Sequence, residues 1–167
     1  MLVKVIDYTL TENKAVEFRL VGFGADGTRI IKLLVKKHPR NVRHLGFITD
    51  AQLRSEYTNS DLLISTSRYE TPGLTILEAQ AHGIPVVAFR VPGPKDIIKK
   101  GFQGSLVEPF DMTGFAKEII KYSELSKSPS KYSHTMIKIQ NEIKRRYSEK
   151  QFVERFTRMI NEASAIN

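Results

Sequence analysis

Short apolar runs of strand length alternate with helical stretches, and the loops between them are short. VEFRLVG (16–22), VRHLGF (42–47), DLLIST (61–66), PVVAF (85–89) and GSLVE (104–108) read as strands. Between them, TRIIKLLVKKH has helical spacing and is stopped by Pro39. DAQLRSEYTN follows Thr49, a residue type suited to an N-cap. TPGLTILEAQAHG places Pro72 near a helix start and Gly83 just past its end. PKDIIKKG reads as a short helix, and DMTGFAKEIIKYSEL as a longer one capped by Asp111. Strands alternating with helices predict a parallel sheet covered on both faces, an α/β, Rossmann-like arrangement. In such a fold ligands gather at the carboxyl ends of the strands. The loops at 22–27, 47–50, 66–73 and 89–94 are therefore expected to share one functional edge.

After residue 124 the pattern changes. SKSPSK reads as a polar linker, and helices are predicted over 131–147 and 149–165 with a break at Ser148. The expected organisation is a ligand-binding unit over 1–124 and a helical extension over 125–167 packing on the same unit. At 167 residues the chain can bury a real core without metals or disulfides. It contains no cysteine, which excludes a disulfide scaffold and thiolate chemistry. No run is long enough to span a bilayer, and MLVKVIDYTLTENK carries no leader-cleavage pattern. A cytoplasmic location is expected, with peripheral membrane contact left open.

The net charge is +8. Arg29, Lys32, Lys36, Lys37, Arg40 and Arg43 run without an acidic residue between Asp26 and Asp50, and residues 121–167 carry ten basic against five acidic side chains. Two readings stand: solvated helix faces, or attraction to an anionic partner such as phospholipid headgroups or a diphosphate. A nucleic-acid partner is not expected, because no recognised motif or basic-aromatic interleaving is present.

RYETPGLTILE (68–78) is the segment that points to chemistry. Gly73 lets a ligand approach the backbone at a helix start, where free N–H groups and the helix dipole favour an anion. A diphosphate suits that position. Glu78 lies six residues after Pro72, roughly 9 Å along the axis at about 1.5 Å per residue. Its carboxylate can accept from a vicinal diol such as that of ribose. Glu70 sits in the strand-to-helix loop, on the other side of the phosphates. Taken singly, a Pro-Gly turn and a helical Glu are ordinary surface features. Together they suit a sugar nucleotide laid across the helix start. The four histidines, His38, His44, His82 and His134, have no metal-ligand spacing, and no Asp pair forms a metal clamp.

ETPGLTILE is followed by AQAHGIPVVA, PGPKDII and GSLVEPFDMTGFAKEI, and preceded by VGFGADG, LGFITDAQLRSEY and DLLISTSRYE. Motifs in this order resemble the C-terminal, donor-binding domain of GT-B fold enzymes of glycosyltransferase family 4 over residues 16–123. The resemblance implies retaining transfer of a hexose from a UDP-, GDP- or ADP-sugar, with no cofactor and no bound metal. It implies that Glu78 holds the ribose hydroxyls and that Glu70 contacts the donor sugar as the catalytic carboxylate. The backbone of Gly73 and Leu74, with Thr75, would hold the diphosphate. Phe47 and Ile48 would lie beside the base through their backbone, while Gly22 and Gly24 keep the first loop low.

The sequence departs from that pattern in three places. The N-terminal acceptor domain is not among these residues. Neither is the first strand of the donor domain, with its phosphate-binding Arg and Lys, so that 1–14 would be the helix after that strand. Pro72 replaces a common aromatic. Arg68 is the nearest candidate for the phosphate cation, with Lys95 a second. Three readings remain: part of a larger transferase, one subunit of a split transferase completed by a partner, or a non-catalytic nucleotide-sugar-binding module.

Overall fold

The computed structural model describes residues 1–22, 27–70 and 73–164. Helix α1 (Leu2–Glu12) opens the chain. Then come β1 (Phe18–Val21), α2 (Gly27–Lys37), β2 (Val42–Gly46), α3 (Asp50–Thr58), β3 (Leu63–Ser65), α4 (Leu74–Ala81), β4 (Val86–Phe89) and α5 (Pro94–Ile97). A 3-10 turn (Gly101–Gln103) leads into β5 (Gly104–Val107), and α6 (Met112–Ser126), α7 (Pro129–Tyr147) and α8 (Glu149–Ser164) complete the molecule. The alternation expected from the sequence is present, with strands trimmed to three to five residues.

The single sheet anticipated from the sequence is divided. β1 pairs in parallel with β2, and β3, β4 and β5 form a second parallel sheet in that order. Both sheets nevertheless share one hydrophobic core. Phe18 of β1 and Val42 of β2 belong to the same buried cluster as Val87 and Phe89 of β4, together with Val5, Ile6 and Leu10 of α1 and Phe115 and Ile119 of α6. Phe89 and Phe115 meet edge to face with ring centroids 5.0 Å apart.

β4 is the central strand, and all four of its residues are buried. Because side chains alternate across a strand, its odd and even positions must satisfy two different cores. Val87 and Phe89 enter the cluster just described, whereas Val86 and Ala88 enter a second one with Ile76, Ala79, Ile97, Ile98, Ile139 and Ile143. Helices thus cover both faces, α1 and α6 on one and α4, α5 and α7 on the other. Burying each large aliphatic side chain contributes about 1.5–3 kcal/mol.

Two amides are buried within the second face and satisfy each other. Gln103 Nε2 donates to Gln80 Oε1 at 3.0 Å, and Gln80 Nε2 donates to the Gln103 carbonyl at 3.1 Å. Gln103 Oε1 also accepts from the backbone N–H groups of Lys99 and Lys100. This network ties α4 to the turn before β5.

The helix ends follow the residue types present. Thr49 and Gln52 form a reciprocal capping box at α3, and Asp111 Oδ1 accepts from the Gly114 N–H at 2.8 Å to start α6. Two expectations need correction. The polar SKSPSK linker shrinks to two residues, because α6 continues to Ser126 and Pro129 already occupies the first turn of α7. The PKDIIKKG helix stops at Ile97, where Ile98 turns extended and its apolar side chain enters the core. Arg146 near the end of α7 closes that short helix, donating to the carbonyls of Ile97 at 2.6 Å and Asp96 at 2.8 Å. Among the described residues, no helix is long and apolar enough to cross a membrane.

Candidate functional site

The loop after β3 leads directly into α4, and this junction carries the two glutamates. Gly73 is the N-cap of α4, with φ 73° and ψ 38° in the left-handed region. That conformation is cheap for glycine and strained for other residues. Gly73 is buried and has no side chain to cap the helix. Its carbonyl accepts from the N–H groups of Ile76 and Leu77. The first N–H groups of a helix have no intrahelical partner, so the backbone of Leu74 and Thr75 presents donors at the positive end of α4. No acidic residue lies in that first turn.

Glu70 is half-buried beside the helix start. Ser65 Oγ, at the end of β3, donates to its Oε2 at 3.1 Å, and Thr75 Oγ1, in the first turn of α4, donates to its Oε1 at 3.2 Å. The carboxylate is therefore oriented from both sides of the loop. Thr75, expected to face a diphosphate, turns its hydroxyl toward Glu70 in this structure. Leu74 is exposed, as a backbone-only contributor at a ligand edge can be.

Glu78 lies on the outer side of α4 and is exposed. Its Oε2 accepts a hydrogen bond from the Tyr57 hydroxyl at 2.9 Å. Tyr57 is itself buried at the end of α3, and its ring stacks on His82, with centroids 5.3 Å apart and planes 22° from parallel. Burial, reinforced by the hydrogen bond to Glu78 and by that carboxylate's charge, pushes the Tyr57 phenol well above the ordinary tyrosine value. It remains a neutral donor through the physiological range.

Two further loops close on this junction. The backbone of Gly93, after β4, lies against the Glu70 carbonyl, with φ 91°. Pro94 then starts α5, and the Gly93 N–H donates to Asp96 Oδ2 at 3.2 Å. From the loop after β5, Phe110 places its ring 5.7 Å from the Arg68 guanidinium carbon. Phe110 is 60% exposed and holds φ 70°, which is unusual for a non-glycine residue. Arg68 is thus a half-committed cation at the sheet edge, and Lys95 is exposed on α5.

The remaining expected residues form a second group at the ends of β1 and β2. The Gly22 N–H donates to the Gly46 carbonyl at 2.8 Å, and His44 Nε2 lies 2.8 Å from the Gly22 carbonyl. Phe47 is 82% exposed, and Ile48 is half-buried just before the Thr49 cap. Gly24, with Pro72, falls outside the described residues. Among the described residues, no group of three or more His, Asp or Glu side chains is placed to hold a metal ion. Sequence reasoning did not find Tyr57, Ser65 or Gly93. Of these only Gly93 left a signal, the Pro-Gly-Pro step after a buried strand.

Parallel strands with helices on both faces, with Glu70 in the loop after β3 and Glu78 within the helix that follows it, define a Rossmann-like α/β domain. The chain belongs to the glycosyl transferases group 1 family, whose model matches residues 1–139. It is 29% identical over 163 residues to the poly(ribitol-phosphate) alpha-N-acetylglucosaminyltransferase of Staphylococcus aureus strain COL, across 96% of this chain and 32% of that protein. It is 26% identical over 161 residues to the poly(glycerol-phosphate) alpha-glucosyltransferase of Bacillus subtilis strain 168, across 96% of this chain and 23% of that protein. Among solved structures it superposes on a point mutant of S. aureus TarM, crystallised with fondaparinux, alpha-GlcNAc-glycerol and UDP. That match has a TM-score of 0.82 and 26% identity over 96% of this chain and 32% of the other. The chain therefore spans about a third or less of the length of these relatives.

Proposed function

We propose that this chain is the donor-binding part of a retaining glycosyltransferase of family 4, taking a uridine diphosphate sugar and transferring its hexose to a glycan or lipid-linked acceptor. The observation that carries the reading is the junction of β3 and α4. A positive helix start lies between a carboxylate fixed by Ser65 and Thr75 and a second, exposed carboxylate inside the helix. In this reading the N–H groups at Gly73, Leu74 and Thr75 hold the diphosphate, Glu78 accepts from the ribose diol, and Glu70 faces the sugar. Arg68 supplies cationic charge, Phe47 and Ile48 border the base, and Gly22 lies at the start of the first loop. The choice of uridine is supported by the UDP bound to the TarM neighbour.

The departing group is a diphosphate, so negative charge grows on its bridging oxygen as the glycosidic bond breaks. Fixed N–H dipoles aimed there lower the barrier without reorganising. Residues 1–124 would form the donor-binding unit and 125–167 its helical extension. The acceptor would be held by a further domain or a partner subunit, in keeping with relatives about three times as long. The expected setting is cytoplasmic, with the basic helices available to an anionic membrane surface.

Calorimetric titration of the chain with UDP, UDP-N-acetylglucosamine, UDP-glucose, GDP and ADP tests this. Saturable binding of the uridine ligands, tighter than GDP or ADP, is the expected result. Binding of none of them would favour a non-catalytic module or a site completed only by a partner.

A further inference from the structure

Glu78 has two carboxylate oxygens, and the fold treats them differently. Oε2 is taken by the Tyr57 hydroxyl at 2.9 Å. An exposed glutamate on a helix otherwise samples many rotamers, and a ligand must freeze it on binding. Here the partner doing the freezing is rigid. Tyr57 is buried, its ring is stacked on His82, the C-cap of the helix that carries Glu78, and it has only two side-chain torsions. The hydrogen-bond donor is therefore held by packing on both α3 and α4. Its hydroxyl also consumes acceptor capacity on Oε2, so the carboxylate no longer offers two equivalent oxygens to a diol.

We propose that Tyr57 is a positioning residue for Glu78, clamping Oε2 so that Oε1 is presented to one ribose hydroxyl and the site discriminates ribose from deoxyribose. This rests on the ribose role proposed for Glu78. The clamp explains a feature that packing alone does not: a buried aromatic whose polar end is aimed outward at an exposed carboxylate. A phenylalanine would fill the same space and keep the stack.

The test is calorimetry of the wild-type chain, Tyr57→Phe, Glu78→Ala and the double variant with UDP, 2′-deoxy-UDP and 3′-deoxy-UDP, each variant first checked by thermal unfolding. The expected result is that Tyr57→Phe weakens UDP about tenfold. It should change binding of the deoxy analogue lacking the recognised hydroxyl less than about twofold, so that discrimination falls. The double variant should bind UDP no more weakly than Glu78→Ala alone, because both changes remove one interaction. Equal weakening of all three nucleotides by Tyr57→Phe would show a merely structural role and overturn the proposal. Unchanged binding of all three would overturn it too. Wild-type chain that binds UDP with no discrimination against either deoxy analogue removes the ribose contact while leaving the nucleotide site standing. Wild-type chain that binds no nucleotide removes the site reading itself, and the clamp with it.

Discussion

A methyl group added at Gly93 would overlap the backbone carbonyl of Glu70. The loop after β4 therefore packs directly on the segment that carries the Glu70 carboxylate, at a place where only hydrogen fits. Gly93 also holds φ 91°, a conformation that side chains other than glycine resist. Gly73 is a milder case. Its added methyl would meet the Cδ1 end of Ile97 at 2.8 Å, a flexible side chain that can turn aside.

Gly93→Ala is accordingly expected to destabilise the fold by at least about 1–3 kcal/mol and to weaken sugar-nucleotide binding. Gly73→Ala should lose less stability, since its cost is mainly backbone strain. Denaturant unfolding of both variants checks the order, and equal losses would show that the Glu70 contact is not what constrains position 93.

Glu78→Ala removes the carboxylate assigned to the ribose. The expected loss of UDP affinity is on the order of 1.5–3 kcal/mol, the value of a hydrogen bond to a charged group. Titration measures it directly. Affinity that is unchanged for UDP, GDP and ADP alike would refute the ribose role.

Glu70→Gln keeps the size of the side chain but replaces one acceptor oxygen with an NH2, so one of the two hydroxyls, Ser65 or Thr75, must turn from donor to acceptor and the negative charge is lost. Binding of UDP-N-acetylglucosamine is expected to fall more than binding of UDP, by roughly 1–2 kcal/mol. Equal losses for both ligands would remove the sugar-facing assignment.

Asp7 of α1 reaches Lys37 at 2.8 Å and His38 at 2.7 Å, joining the first helix to the end of α2. Burial works against its charge, but hydrogen bonds from Lys37 and His38 outweigh that effect and hold the carboxyl below its ordinary value of 3.8. A lowered folded pKa means the contribution is complete above the unfolded value and is lost as pH falls through the folded one. Lys37 is well exposed, so Asp7→Asn should cost only on the order of 1 kcal/mol. The gap between wild type and variant should narrow below about pH 4. A gap that stays constant down to about pH 2 would show that the ionised carboxylate is not responsible.

The order of elements was legible because each carries its own period. β4 is an unbroken apolar run that can be buried on both faces, and α3 and α6 announce themselves through Thr49 and Asp111. Strand ends were overestimated, since an apolar residue such as Val16 can pack on the core without joining a ladder. The Pro-Gly step marked the start of α4, and the two glutamates followed from their positions around it. The Tyr57 contact was not legible. It joins residues 21 apart in sequence on two different helices, and nothing in the composition of α3 says which way its one aromatic points. The division of the sheet was equally hidden, because pairing partners are a property of the assembled fold.

That division has a consequence for handling the protein in solution. Among the described residues, β1 and β2 pair only with each other and β3 and β5 only with β4, which leaves four ladder edges without a strand partner. Such edges template aggregation when copies meet. With a net charge of +8, like copies repel at low salt, and at 0.15 M that repulsion is screened beyond about 8 Å. Association of copies through these edges is therefore expected to rise with ionic strength.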